Sequence, residues 1–171
     1  MRTLPFFTLL LAPLTALAAP SPNPRPNTGT GTAISAPPSK VINARQGAVV
    51  TPPPCVAMDP APTEAETEAR FDIFAEAFLV RKNLTEAFEF ISSTYINHNP
   101  MAGDGPNAAL DALGPFWSGL QITVLGTAFE GEFGWLNYQS SMVGEVVDRF
   151  RWEAGCIVEH WDQGEQFPAD A

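Results

Sequence analysis

His160 and its neighbouring carboxylates are the side chains in this chain best spaced for proton chemistry. Val143 to Trp152 and Cys156 to Trp161 are rich in β-formers, with Glu153-Ala154-Gly155 between them, and this pattern predicts a β-hairpin. In a three-residue loop Gly155 takes the left-handed position that such loops need. Phe150 then faces Val158, Arg149 faces Glu159 and Asp148 faces His160. A two-residue turn would set Arg149 against His160 and Phe150 against Glu159, and mismatched pairs cost a few tenths to about 1 kcal/mol each, which favours the three-residue loop. One face then carries Phe150, Val158, Asp148 and His160, and the other an Arg149–Glu159 ion pair. Asp162 lies two residues beyond His160 and shares its face. Facing Cβ atoms are about 5 Å apart, within reach of an imidazole–carboxylate contact. Such a contact fixes the ring's tautomer and holds or delivers a proton near neutral pH, typically worth about 10²–10⁴ in rate. The same contact also serves simply to satisfy two polar groups inside a core. His98, in a Pro-terminated turn, is either an acid–base group at the mouth of a pocket or a turn residue bonding local backbone.

The elements that position these groups come from the rest of the 171 residues. Lys plus Arg is 9 and Asp plus Glu is 19, a formal net charge of -10. A surface so acidic repels phosphate backbones and anionic lipid, so neither nucleic acid nor a membrane is an expected partner. No glycine-rich phosphate loop is present, and two cysteines with two histidines have no zinc-site spacing. His98, His160 and a carboxylate have the ligand types for non-haem iron or zinc but no known motif spacing, so no metal and no cofactor is expected.

Residues 1–18 read as a signal peptide: Arg2, an apolar run from Leu4 to Leu17, and a small-x-small site at Ala16-Leu17-Ala18. The expected localisation is therefore secreted, extracellular. Residues 19–62 are Pro-rich and read as an extended linker, with Ala48-Val49-Val50 as a short edge strand within it. Residues 63–167 form the domain and 168–171 a tail. In an oxidising compartment Cys55 and Cys156 form a bridge worth about 3–5 kcal/mol; the other reading is a free, buried Cys156. Asn83-Leu84-Thr85 is a glycosylation sequon and also a helix start, with Glu86 three residues on.

Thr63 with Glu66 predicts a helix start. Phe71, Phe74 and Phe78, with Ile73, Ala77 and Val80 beside them, predict a deeply covered helix. A second helix is expected from Leu84 to Ser93. A third starts near Pro106 and is split at Gly114-Pro115. Ile122 to Leu125 and Phe133 to Met142 complete a β-meander, so the fold class is α+β. Tyr95, Phe116, Trp117, Trp135, Tyr138, Phe150 and Trp152 are candidate walls of a substrate pocket.

Four stretches carry a family likeness: Tyr95-Ile96-Asn97-His98-Asn99-Pro100, Gly131-Glu132, Val147-Asp148-Arg149-Phe150-Arg151 and Gly155-Cys156-Ile157-Val158-Glu159-His160-Trp161-Asp162. Together they resemble the SnoaL-like polyketide cyclase family of the nuclear-transport-factor-2-like (NTF2-like) superfamily. The resemblance spans about 63–167 and implies a cone-shaped NTF2-like fold, three helices packed on a curved antiparallel sheet, often dimerising through the sheet. It also implies an Asp and a His working without a cofactor in aldol-type ring closure. Other members of the superfamily are isomerases, dehydratases or binders. Glu165 stands where relatives often have Gln, Cys156 where a basic residue is common, and the leader is unlike that of a cytosolic cyclase. The expected function is a secreted acid–base enzyme acting on a small hydrophobic carbonyl metabolite. His160 would carry the proton, Asp148 would orient it or act as base, and Asp162 and His98 would help. The alternative is a secreted, non-catalytic small-molecule-binding module of the same fold.

Overall fold

The computed structural model describes residues 49–170. The expected leader, the Pro-rich stretch up to residue 48 and Ala171 lie outside the described residues. Val49 and Val50 are not a strand. Instead the Thr85 hydroxyl accepts the Val50 N–H and donates to the Val50 carbonyl, replacing strand partners.

Helix α1 (Glu64–Ala75) starts at the reciprocal cap its sequence predicts: Thr63 accepts the Glu66 N–H and the Glu66 carboxylate accepts the Thr63 N–H. It runs on through a π-helical turn, Glu76–Val80. Phe71, Phe74 and Phe78 are buried, but Ile73 and Val80 are 51% and 63% exposed. These two lie off the stripe that follows the phenylalanine spacing and meet solvent instead of sheet. The second helix is shorter than its pattern suggests. Helix α2 (Leu84–Ala87), capped by Asn83, gives way to a single 3-10 turn, Phe88–Phe90, and strand β1 (Ile91–Asn97) begins where the helix was expected to continue. The residues from Ile91 to Tyr95 are β-branched, hydroxylic or aromatic, and a neighbouring strand is available to pair with them. Helix α3 (Pro106–Leu113) opens on Pro106 and stops before Gly114-Pro115, with a 3-10 turn at Trp117–Gly119.

Strands β2 (Ile122–Glu130), β3 (Phe133–Ser140), β4 (Gly144–Glu153) and β5 (Cys156–Trp161) pair antiparallel in sequence, and β1 adds parallel to β5. The sheet order is β1-β5-β4-β3-β2, and the sheet is curved and unclosed. The aromatic core lies between its inner face and α1. Phe71, Phe74, Phe90 and Trp152 pack there at ring separations of 6.0–6.3 Å. Gly134 admits the Phe71 ring against the backbone of β3; a Cβ at that position would meet Phe71 Cδ2 at 2.5 Å.

The β4–β5 register differs from the expected one. Ala154 and Gly155 both have positive φ, 46° and 81°, so the turn is a two-residue one. Glu153 pairs with Cys156 and Trp152 with Ile157. Val158 is then passed over, and Arg151 pairs with Glu159, Phe150 with His160 and Arg149 with Trp161. Asp148 therefore does not face His160 directly and Phe150 does not face Val158. The offset from the three-residue loop is two positions, and a shift of two preserves the face of every side chain. The expected Arg149–Glu159 ion pair is replaced by Arg151–Glu159, with Arg149 donating to Glu165 at 3.1 Å.

Cys55 and Cys156 are disulfide-bonded. The bond joins the start of β5 to a segment that pairs beside Ser92 of β1. Replacing both cysteines by serine should lower the unfolding free energy by about 3–5 kcal/mol, as expected for so long a loop. Urea unfolding of both proteins measures the difference, and a loss below about 1 kcal/mol would show that loop closure contributes little.

Candidate active site

The inner face of the sheet and α3 enclose a cavity of about 450 Å³, within the size range of small-molecule sites. Its walls are mostly apolar and include Phe78, Phe116, Trp117, Leu120 and Val146. Tyr95, Tyr138, Phe150, Asp148, His160 and Asp162 also line it. Of the seven expected wall residues, Trp135 and Trp152 do not. The inward residues of β3 are Leu136, Tyr138 and Ser140, so Trp135 falls on the outer face beside Phe133. Trp152 points inward but lies beyond the cavity, 6.1 Å from Phe74 in the core.

His160 and Asp148 meet diagonally across β4 and β5. The imidazole stacks on Phe150 at 4.8 Å and reaches past it, so that Nε2 lies 2.9 Å from Asp148 Oδ1. Asp148 is 4% exposed. A carboxylate so buried needs partners, and its second oxygen accepts the Tyr138 hydroxyl at 3.0 Å. His160 Nδ1 lies 3.0 Å from Asn97 Oδ1. Asp162 follows at the end of β5; its Oδ2 accepts the Asn99 amide, while its buried Oδ1 has no partner. Asp148, His160 and Asp162 each place one ligating atom within 4.8 Å of the others, a donor set suited to a divalent cation. At His160 and Asp148 those atoms are already engaged with each other and with Asn97 and Tyr138.

His98 is not in this group. Tyr95 and Asn97 face inward, and strand alternation turns His98 out. It stacks on Trp161 at 4.6 Å, and its Nε2 lies 3.1 Å from Glu159. The His98 contact, then the Arg151 contact, hold the Glu159 carboxyl below its ordinary range. The inward residues of the same turn, Asn97 and Asn99, were not singled out in the sequence. Period-2 alternation from Tyr95 would have found Asn97, but only if the segment is read as a strand.

Burial first, and the nearby Asp148 carboxylate second, push the Tyr95 and Tyr138 phenols far above their usual range.

No family model matches the chain, and no curated protein does. Solved structures similar to it include TsrD from Streptomyces laurentii, at 16% identity and TM-score 0.47, covering 60% of this chain and 90% of that one. An NTF-2 like protein of unknown function from Burkholderia xenovorans LB400 is 14% identical at TM-score 0.49, covering 62% and 90%. A SnoaL-like protein of unknown function from Burkholderia thailandensis e264 is 13% identical at TM-score 0.46, covering 60% and 97%. The likeness is one of fold, and the chemistry rests on the side chains of this chain.

The chain has only two tyrosines, so their ionisation is directly measurable. Neither should give tyrosinate absorbance at about pH 11, a unit above the free phenol's value. The contribution of these two phenols to folding stability should be constant below about pH 10 and fall above it, because the unfolded chain ionises both while the folded chain keeps them protonated. A normal titration in the folded protein would contradict the placement of both rings.

Proposed function

We propose that this chain is an acid–base enzyme that moves a proton on a neutral, hydrophobic carbonyl compound, in an aldol-type cyclisation, isomerisation or dehydration that needs no cofactor. The observation that carries this reading is the His160–Asp148 contact at the wall of an otherwise apolar cavity. A proton held there is shielded from water, and a ligand seated against Phe150 and Tyr138 comes within reach of it. Among the described residues, the cavity lining includes two aspartates and no lysine or arginine. It therefore offers no lysine or arginine to a carboxylate or phosphate on the ligand, any positive charge on His160 is outweighed by Asp148 and Asp162, and burial of such an anion is costly. This selects neutral molecules. The disulfide supports an oxidising compartment, in keeping with the leader read at residues 1–18.

One observation favours a second reading, a secreted binding module without turnover. Both ring nitrogens of His160 and both oxygens of Asp148 already have partners, as structural hydrogen bonds do.

A panel of neutral aryl ketones and β-keto compounds incubated with the protein, followed by chromatography and mass analysis, separates the two readings. A product that differs from its parent in mass or retention supports the enzyme. His160→Gln should then lower turnover by about 10²–10⁴ while leaving the melting temperature nearly unchanged. A compound that binds and returns unaltered, with Asp148→Asn shifting only its affinity, supports the binding module.

A further inference from the structure

We propose that Asn97 is a positioning residue that holds His160 with a proton on Nδ1, so that the ring meets Asp148 through a second, shared proton. Either end of an asparagine amide can in principle face a neighbour, and the hydrogen-bond network decides which one does. Two backbone groups decide it here. The Asn99 N–H donates to one end at 3.2 Å, so that end is the oxygen. The Ala102 carbonyl lies 3.4 Å from the other, so that end is the NH₂. The Asn97 backbone is held as well, since its N–H donates to Asp104 at 2.9 Å. The parallel pairing of β1 with β5 sets Asn97 directly beside His160.

The atom facing His160 Nδ1 at 3.0 Å is therefore an acceptor, and a ring nitrogen meets an acceptor favourably only by donating. With Nδ1–H directed to Asn97, the neutral ring has a bare lone pair on Nε2. That lone pair would face a carboxylate oxygen at 2.9 Å, a repulsive arrangement unless a proton lies between them. Tyr138 does not supply it, because its hydroxyl proton is directed to the other oxygen of Asp148. The Nε2···Oδ1 contact therefore carries its own proton, on the ring or on the carboxyl. Asp162, with an atom within 4.8 Å, adds a second negative group that favours the ring as its site.

This deepens the acid–base reading and rests on it for one consequence: the resting site is loaded as an acid. Its first step is donation. The Nε2–H bond breaks, a bond from that proton to a ligand oxygen forms, and the ring is left neutral with Nδ1–H still on Asn97 and its Nε2 lone pair facing Asp148, an arrangement that drives the proton's return. The reaction classes this suits begin with activation of a carbonyl or departure of a hydroxyl, and the proton is returned at the end of the cycle.

The tautomer is measurable without any substrate. The full chain labelled with ¹⁵N-histidine contains two rings, and His98→Asn assigns them. Long-range ¹H–¹⁵N correlation spectra, recorded over the pH range in which the chain stays folded, should show His160 Nδ1 protonated throughout. Asn97→Asp keeps the acceptor and should keep that signature. Asn97→Leu removes it and should release the ring to carry its neutral-form proton on Nε2. A wild-type ring protonated only on Nε2 would overturn the proposal, as would an unchanged ring spectrum in Asn97→Leu. If Asn97→Leu does not fold, the wild-type and Asn97→Asp spectra still decide. A ring locked as described in a protein without turnover removes the enzyme reading and leaves the positioning role standing. Turnover by a protein whose ring is protonated only on Nε2 does the reverse.

Discussion

One extra residue in β5 places His160 and Asp148 on the same face of the sheet. A two-residue turn at Ala154-Gly155, continued in strict register, would put Asp148 and His160 on opposite faces. The unpaired Val158 adds one position, restores the parity, and turns the imidazole toward the carboxylate. The outer half of β5 depends on the same offset. Glu159 thereby lands beside Arg151 and His98, and Trp161 beside Arg149, whose guanidinium lies 4.4 Å from its ring. β1 pairs with β5 on both sides of the bulge, at Ile91–Ile157 before it and at Ile96–Glu159 and Asn97–His160 beyond it. The second partner of His160, Asn97, is brought beside it by this β1–β5 pairing, which has its own irregularity between Ile91 and Ile96.

Much of the scaffold was legible because it is written in local rules. Thr63 with Glu66, Pro106 as a first helical residue, and the break at Gly114-Pro115 each act within a few residues, and each is found. The register was not legible, since a bulge leaves no local mark. Val158 is an ordinary β-former whose unpaired position is visible only against β4. A three-residue loop in strict register and a two-residue turn with one bulged residue differ by two positions, and both leave Asp148 and His160 on one face. Ile91 to Ser93 depart from their helical spacing for a related reason. A short aromatic run after a capped turn fits a helix by spacing, and its conversion to strand depends on β5, sixty residues away in sequence. The misplacement of His98 followed from that, because a residue read in a turn has no assigned face.

The cavity sets stability against use. Asp148 is buried among aromatic rings, where an unpaired carboxylate is strongly disfavoured, and its two partners offset that cost. Asp162 is compensated on one oxygen only. Asp148 and Asp162 cluster with His160 in a lining that is otherwise mostly apolar, a polarity that would orient a molecule bound there. At the rim, Met101, Met142 and Val143 are largely exposed. They form a flexible apolar lip to the cavity.

The cystine lies closer to this geometry than its role as a loop closure suggests. Cys156 is the first residue of β5, two positions before the irregularity, and Cys55 holds it against the flank of β1. The covalent clasp therefore grips the hairpin on the turn side of Val158 and leaves the strand little room to slide. Under reducing conditions that bond opens and the grip is lost, so the oxidation that joins Cys55 to Cys156 also secures the contact between His160 and Asp148.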